Sequence, residues 1–467
     1  MRRLTRRSFL ATSAAAVASP AIGAPAAALD TEVIIIGAGA AGIAAARRLS
    51  VANRRFMMLE ASGLVGGRCV TDTNLFGVPL DLGARWIYAP ETNPLVRLGP
   101  KTGFDLDQVK TRTQLRVGRR EARDSELEEF LGMRVRARHA IDEASRGKTD
   151  SDADAALPRE LRDWRPTMEF ILGAYGCGRD LREVSVYDYA KVMERDRSTY
   201  CRQGYGALLA KLAAVVPPRL STPVTRIEWH DRVVVETDKG KLVAGSAILT
   251  PSTNVLLSGD IKFVPDLPKR QLDALASLKL GSSERVVLEL AGAPFGTAPD
   301  DLIFEKADGK RTAALRTNIS GTALSMVDLG GSFARELSRA GDQAMIDFAV
   351  EWLVGLYGSD LKKAVKRTYA TRWSDNPFVR GAFATASPGK QAARKTLMEP
   401  LQGKLYFAGE AINETNWGSV GGAWESGSRA AEAILRKLGV LKEPEEPRGG
   451  QPPKASPKAT NPPRKRT

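Results

Sequence analysis

Short apolar runs and an alanine-rich stretch alternate near the start of this chain. Residues 33–36 form a β-branched apolar run, which is typical of a buried parallel strand. The alanine-rich stretch that follows predicts a helix, and a second apolar run at residues 56–59 predicts another strand. The order of strand, helix and strand predicts the first unit of an α/β fold.

Glycines at a special spacing connect the first strand to the helix. Gly37, Gly39 and Gly42 follow the strand as GxGxxG. In such a turn the first glycine permits a tight bend, the second lets the backbone approach a pyrophosphate, and the third lets helix and strand pack closely. Glu60 ends the second strand, where its carboxylate can accept from ribose hydroxyls and disfavours a 2′-phosphate. These features predict a dinucleotide site.

Two further segments predict contacts to the same dinucleotide. The loop after Glu60 contains Gly67 and Arg68, and Arg68 can neutralise a pyrophosphate oxygen. Near the other end of the chain, Gly409 and Glu410 follow a predicted buried strand at residues 405–407. An alanine-rich helix then begins near Ala423, and its N-terminus can face an electron-rich ligand.

These blocks, in this order, resemble the flavin-containing amine oxidases, a family that includes monoamine oxidases, polyamine oxidases, L-amino acid oxidases and lysine-specific histone demethylases. The resemblance runs from about residue 31 to about residue 438, and further blocks that carry it lie at 82–87, 203–212, 222–227, 373–383 and 419–427. It implies FAD rather than NAD. It also implies a Rossmann-like FAD-binding domain interleaved with an α+β substrate domain, the two-domain fold of the monoamine oxidases.

The resemblance adds residues expected to contact FAD: Gly83, Ala84, Arg85, Trp86, Val224, Ser419, Val420 and Ala423. For Arg85 two other roles stay open, a structural contact or a grip on a substrate carboxylate. Ala382 stands where some monoamine oxidases attach the flavin through a cysteine, so we expect FAD to be bound non-covalently.

The resemblance also implies a reaction. The substrate is a small amine or amino acid, whose hydride passes to flavin N5 to leave an imine, and O2 then reoxidises the flavin and forms H2O2. Arg285 stands where many members carry a lysine near N5. An arginine keeps its charge, so it can stabilise reduced flavin, or slow the reaction with oxygen in favour of another acceptor. A structural ion pair with Glu284 or Glu289 is the alternative.

Three aromatic residues complete the candidate catalytic set. Phe383 and Trp417 are expected to form a partial aromatic wall that attracts an amine by cation–π interaction, or else to pack between lobes. Trp373 is expected to be a structural or flavin-flanking ring. Two rival functions remain: an FAD-dependent dehydrogenase or desaturase with a non-oxygen acceptor, and a non-catalytic FAD-binding periplasmic protein.

The composition of the chain argues against several other classes of function. Two histidines among 467 residues argue against a metal site or a Ser-His-Asp triad. The net charge of +15 comes from scattered basic residues without aromatic interleaving, so no nucleic-acid partner is expected. No apolar run long enough to span a membrane follows the N-terminal region. Three cysteines make no disulfide scaffold, and a pair between Cys177 and Cys201 stays open.

The two ends of the chain have their own signatures. Residues 1–28 contain Arg6 and Arg7 before an alanine-rich apolar segment, the pattern of a twin-arginine signal peptide. It predicts export of the folded flavoprotein by the twin-arginine machinery to the periplasm or the exterior. Residues 441–467 are rich in Pro, Lys and Arg and are expected to be a disordered tail.

Between these ends we expect five alternating segments. The FAD-binding domain comprises residues 30–88, 203–250 and 389–438, and the substrate domain comprises 89–202, expected to be helical, and 251–388. Helices are predicted at 125–146 and 180–193. Strands are predicted at 233–237, 241–249, 285–290 and 368–373.

Overall fold

A computed structural model describes residues 29–108, 112–192 and 198–442. The predicted signal peptide and residues 443–467 of the predicted tail lie outside the described residues. The strands are, in chain order, β1 Thr31–Ile36, β2 Phe56–Leu59, β3 Thr71–Asp72, β4 Leu80–Asp81, β5 Trp86–Tyr88, β6 Leu106–Gln108, β7 Thr113–Val117, β8 Arg120–Glu121, β9 Ser198–Cys201, β10 Val224–Trp229, β11 Val233–Thr237, β12 Gly240–Leu249, β13 Lys262–Val264, β14 Leu278–Leu280, β15 Ser283–Leu290, β16 Leu302–Glu305, β17 Ala314–Arg316, β18 Leu324–Gly330, β19 Val365–Ala370, β20 Ala384–Ala386 and β21 Leu405–Phe407.

The helices include one long element near each end of the described chain. They are α1 Ala40–Val51, α2 Pro94–Lys101, α3 Asp124–Ala144, α4 Arg165–Glu169, α5 Val186–Lys191, α6 Tyr205–Ala213, α7 Thr253–Leu257, α8 Lys269–Ser277, α9 Gly331–Ala340, α10 Asp342–Tyr357, α11 Leu361–Ala364, α12 Ala393–Met398 and α13 Val420–Lys437. None of the helices in the described ranges is long and apolar enough to cross a membrane.

The first sheet carries the predicted dinucleotide unit. Its strand order is β13-β10-β11-β12-β1-β2, with β21 also paired to β12, and β1 runs parallel to both β2 and β12. Val33 and Ile35 pack with α1, α6 and α13 on one face, whereas Ile34 and Ile36 pack with α7, α8 and α12 on the other. Burial on both faces explains why β1 is a continuous apolar run.

The second sheet has the order β19-β15-β18-β17-β16-β7-β8. All its pairs are antiparallel except β16 with β7. Helices α9 and α10 cover one face, where Val286 and Val327 are fully buried. Antiparallel pairing with helices packed against one face makes this an α+β unit.

Two expectations about secondary structure were wrong. The segment 89–202, expected to be helical, also contributes β6 to β9, and β7 and β8 extend the second sheet. The helix expected at 180–193 is a 3-10 turn at Leu181–Glu183 followed by α5. The break comes at Ser185, whose hydroxyl accepts from the amide of Asp188 and so caps α5.

Candidate active site

A cavity of about 460 Å³ lies between the loops of the first sheet and the end of the second sheet where β15 begins. Gly37, Glu60 and Val224 border it on the side of the first sheet, and Arg285 and Trp373 border it on the other side. Its volume is within the range of about 300–1,000 Å³ that is typical of small-molecule and cofactor sites. Most of the predicted site residues line this one cavity: Gly37, Gly39, Glu60, Gly67, Arg68, Gly83, Ala84, Arg85, Trp86, Val224, Arg285, Trp373, Phe383, Gly409, Glu410, Ser419, Val420 and Ala423.

The glycine-rich turn after β1 has the geometry of a phosphate cradle. Gly37 has a φ of +103°, and an added Cβ would lie 2.2 Å from Oγ1 of Thr250. Gly39 precedes α1 without a capping side chain, and Ala40 and Ala41 line the cavity. The N-terminal amides of α1 are therefore available at the cavity wall, where a helix favours an anion.

Gly42 lies outside the cavity lining and serves the packing of α1. A Cβ on Gly42 would lie 1.9 Å from the carbonyl oxygen of Gly37, so only glycine lets the helix approach the turn this closely. This is the role that the spacing predicts for the third glycine.

Glu60 is buried at the carboxyl end of β2 and is oriented by the protein. Its Oε2 accepts from the amide of Ala38 at 2.7 Å, and its Oε1 accepts from the amide of Ser62 at 2.9 Å. These bonds tie the carboxylate to the glycine turn and hold it at the cavity wall, as a ribose acceptor requires.

Arg68 and Glu410 lie at the cavity wall as an ion pair. Nη1 of Arg68 donates to Oε1 of Glu410 at 3.0 Å and to the carbonyl of Ala382. Glu410 also accepts from the amides of Ala384 and Gly418. The Arg68 guanidinium, which is expected to neutralise a pyrophosphate oxygen, is therefore also paired with a protein carboxylate.

Arg85 is a buried structural cation that borders the cavity. It is 3% exposed, and its Nη2 donates to Oδ1 of Asp300 at 3.0 Å and to Oγ of Ser320 at 2.7 Å. Burial lowers the pKa of Arg85, and the charge of Asp300 opposes that shift. The guanidinium also lies over the Trp86 ring at 5.3 Å. Because its charge is matched by Asp300, the geometry favours the structural role left open for Arg85.

Arg285 does not have the partners that the sequence suggested. Its Nε donates to Oδ1 of Asp328 at 2.9 Å, and its Nη1 donates to the carbonyls of Asp81 and Gly83. Glu289, proposed as one partner, instead pairs with Arg367. The other proposed partner, Glu284, accepts bonds from the segment after β19. The missed partner Asp328 had a signal, since it is the lone acid in the apolar run of β18.

The prediction that Phe383 and Trp417 together form an aromatic wall is wrong for Trp417. Phe383 lines the cavity, but Trp417 is 1% exposed and lies in the core formed largely by residues of the 130–189 segment. Its indole N–H donates to the carbonyl of Asp188 at 3.1 Å, and the guanidinium of Arg394 lies 5.0 Å from the ring centroid. Trp417 is therefore a packing residue, which was the alternative role.

The described residues also bear on metal binding and on disulfide formation. Within the described ranges no cluster of His, Cys, Asp and Glu could hold a metal ion. Cys201 packs in the same core as Cys69, whereas Cys177 lies in a separate core, so the Cys177–Cys201 pair does not form in the described part of the chain. Asp81 was not among the residues predicted from the sequence. Burial raises the pKa of Asp81, and its carboxylate accepts from the amide of Tyr205.

Comparison with known proteins identifies the family. The sequence profile described as "Flavin containing amine oxidoreductase" matches residues 40–435. The chain belongs to this family. Within the curated proteins, the chain is similar to polyamine oxidase 2 of Arabidopsis thaliana. The two are 26% identical over 450 residues, which cover 88% of this chain and 90% of that protein. It is also 26% identical over 476 residues to lysine-specific histone demethylase 2 of Homo sapiens, with 92% of this chain covered, but it spans only 56% of that protein.

Solved structures confirm the fold of this amine oxidoreductase. Cyclohexylamine oxidase from Brevibacterium oxydans IH-35A superposes with a TM-score of 0.74 at 21% identity, covering 88% of this chain and 100% of that one. Putrescine oxidase bound to putrescine gives 0.73 at 19% identity, covering 87% and 99%. The predicted α/β fold with FAD-binding and substrate domains is therefore confirmed.

The cavity fits the flavin that the family implies. Its wall contains a turn whose first glycine leaves no room for a Cβ, an uncapped helix N-terminus for phosphates, and a fixed carboxylate at Glu60. The same cavity continues to Trp373, Phe383 and Arg285 on the side of the second sheet. One elongated ligand that joins a nucleotide to a redox ring matches this lining.

Proposed function

We propose that this protein oxidises a small amine or amino acid with non-covalently bound FAD, and that O2 reoxidises the enzyme and yields H2O2. Bound FAD supplies a two-electron acceptor for the hydride on the carbon that bears the amine, and the substrate leaves as an imine that water hydrolyses to a carbonyl compound. The observation that carries the proposal is the single cavity that joins the glycine turn at Gly37 to the aromatic side chains of Trp373 and Phe383.

The chain's own residues bind and orient in this proposal. The α1 amides and Arg68 would hold the pyrophosphate, and Glu60 would accept from the ribose. Trp373 and Phe383 would exclude water from the reacting side of the cavity and offer aromatic faces to an amine. Ala382 offers no thiol for attachment of the flavin, which supports non-covalent binding.

A second candidate is the same oxidation with an acceptor other than oxygen. Arg285 favours it, because a guanidinium bound to Asp328 and to two carbonyls stays charged and cannot act as a neutral base. Many flavin-containing amine oxidases carry a lysine where this chain has Arg285. The two candidates differ only in how the reduced enzyme returns to the oxidised state.

Anaerobic titration of the flavin spectrum separates the candidates. The purified full chain is mixed under argon with cyclohexylamine, putrescine, spermidine, benzylamine and a set of L-amino acids. We expect at least one class to bleach the absorbance near 450 nm, and air to restore it with release of H2O2. Bleaching without recovery in air, but with recovery on adding a quinone or dye, supports the dehydrogenase. A flavin that stays yellow with every compound contradicts both and supports a non-catalytic FAD-binding protein.

We also propose that the protein is exported by the twin-arginine route to the periplasm or the exterior. The support is the sequence at Arg6 and Arg7 before an apolar segment. Replacing both by lysine should keep the flavoprotein in the cytoplasmic fraction of a bacterial host. Unchanged export of that variant would contradict the proposal.

A further inference from the structure

Glu284 is a buried carboxylate whose role is not explained by packing alone. It lies on β15 next to Arg285, has 0% exposure, and accepts three hydrogen bonds from the segment that follows β19. The donors are Oγ1 of Thr371 at 2.7 Å, the amide of Trp373 at 2.9 Å and the amide of Ser374 at 2.8 Å. Burial raises the pKa of Glu284, and these three donors oppose that shift.

Two of these donors explain why β19 does not reach the predicted residue 373. The amide of Thr371 still donates to the carbonyl of Arg285 on β15, but the amides of Trp373 and Ser374 bond to the Glu284 side chain instead. A carboxylate that accepts several N–H groups forms strong, charge-assisted bonds. Glu284 thus determines the path of the chain at Trp373.

Two residues of the cavity wall, Trp373 and Arg285, depend on this arrangement. Trp373 is bonded to Glu284 through its amide, and its indole N–H donates to the carbonyl of Leu82 at 3.1 Å. Arg285 donates its amide to Oγ1 of Thr371 at 2.9 Å, and its guanidinium donates to the carbonyl of Gly83. The stretch Leu82–Gly83 is therefore held by two residues that Glu284 organises, Trp373 directly and Arg285 through Thr371.

The packing at Gly83 leaves little freedom for this wall. A Cβ on Gly83 would lie 2.0 Å from the carbonyl oxygen of Arg68 and 3.1 Å from Cζ2 of Trp373. Gly83, Arg68 and Trp373 all line the cavity. The backbone at Gly83 therefore packs closely against Arg68 and the Trp373 ring, with no room for a side chain.

We propose that Glu284 is a positioning residue, which fixes Trp373 and the Leu82–Gly83 stretch in the wall of the flavin cavity. The inference rests on the proposed function in that it takes the cavity to be the FAD site. It assigns to Glu284 no contact with FAD or substrate.

The test compares two isosteric substitutions on the same strand. Glu284→Gln keeps the size of the side chain, but its amide has one oxygen for three donors and presents an NH2 group where the carboxylate accepted a bond. Glu289→Gln is the matched control, because Glu289 also lies on β15 but keeps 29% side-chain exposure and pairs with the exposed Arg367. Each protein is stripped of flavin and titrated with FAD, and the visible circular dichroism and thermal midpoint are recorded.

We expect Glu284→Gln to weaken FAD binding about tenfold and to alter the visible circular dichroism of bound flavin, while Glu289→Gln stays within about twofold of the parent. Trp373→Phe keeps an aromatic ring but removes the indole N–H and its bond to the carbonyl of Leu82, and its effect should not add to that of Glu284→Gln if Glu284 acts through Trp373. Parent-like affinity and spectrum in Glu284→Gln, or full additivity in the double variant, would overturn the proposal.

A second variant and a separate reading of the reaction distinguish failure of this proposal from failure to fold and from failure of the proposed function. Should Glu284→Gln not fold, Thr371→Val removes only the hydroxyl link, and weaker FAD binding with an altered flavin spectrum is again the expected result. Parent-like binding and spectrum in Thr371→Val would then count against the proposal. If the parent binds FAD but no amine bleaches it, the proposed reaction fails, whereas the affinity and spectral comparison still tests Glu284.

Discussion

Arg394 and Asp188 form a fully buried ion pair outside the cavity. Both side chains have 0% exposure, and two bonds of 2.6 and 2.7 Å join them. Arg394 also donates to the carbonyls of Ala384 and Ala411, each at 2.8 Å. The pair thus connects α5, α12 and β20 to the stretch next to Glu410.

Replacing Arg394 by methionine fills similar space but leaves the Asp188 carboxylate buried without its cation. Removing one partner of a buried pair costs about 3–5 kcal/mol. With an unfolding entropy of about 2.1 cal/mol/K per residue and roughly 400 ordered residues, each kcal/mol lowers Tm by about 1.2 °C. Arg394→Met should therefore lower the Tm by about 4–6 °C.

Differential scanning calorimetry of the FAD-loaded protein measures this shift. Arg270→Met is the control, because Arg270 forms an exposed ion pair with Glu399 at 2.5 Å, and we expect no resolvable change there. Adding Asp188→Asn to Arg394→Met should recover part of the loss, since the amide is neutral and still offers an acceptor to Ala386. Equal shifts for Arg394→Met and Arg270→Met would mean that the buried pair contributes no more to stability than the exposed pair.

Three further predictions concern the cavity. Gly42→Ala should abolish FAD binding, because the added Cβ would lie 1.9 Å from the carbonyl oxygen of Gly37, whereas Gly132→Ala, which meets no atom within 4 Å, should leave it unchanged; FAD titration measures both. Arg285→Lys should change the rate of reoxidation by O2 at least severalfold in stopped-flow measurements, and an unchanged rate would exclude Arg285 from the oxygen step. FMN, which lacks the adenosine expected near Glu60, should bind at least 100-fold more weakly than FAD in the same titration, and equal affinities would contradict the nucleotide assignment.

The dinucleotide unit could be predicted from the sequence because its determinants are local. The run at 33–36, the three glycines and Glu60 lie within about 30 residues, and each has a conformational or steric reason to be where it is. Helix α3 and strands β11, β12 and β15 were also predicted, since their periodicity extends over five or more residues.

The remaining features depend on contacts between distant segments. Strand β7 has five residues and one buried apolar side chain, Leu115. Its sequence therefore shows no hydrophobic alternation from which a strand paired with β16 could be predicted. The choice of Asp328 over Glu289 as the partner of Arg285 depends on the register of β15 against β18. Trp417 stands just before the block at 419–427 in the sequence, but its side chain lies in the core, and its neighbour Gly418 lines the cavity instead.

We propose that the cavity between the two sheets holds FAD without a covalent bond. Acid precipitation of the purified, folded chain separates free flavin in the supernatant from flavin attached to the protein. We expect about one FAD per chain in the supernatant and a colourless pellet. Folded protein that is colourless and takes up no added FAD would show that the cavity is not a flavin site.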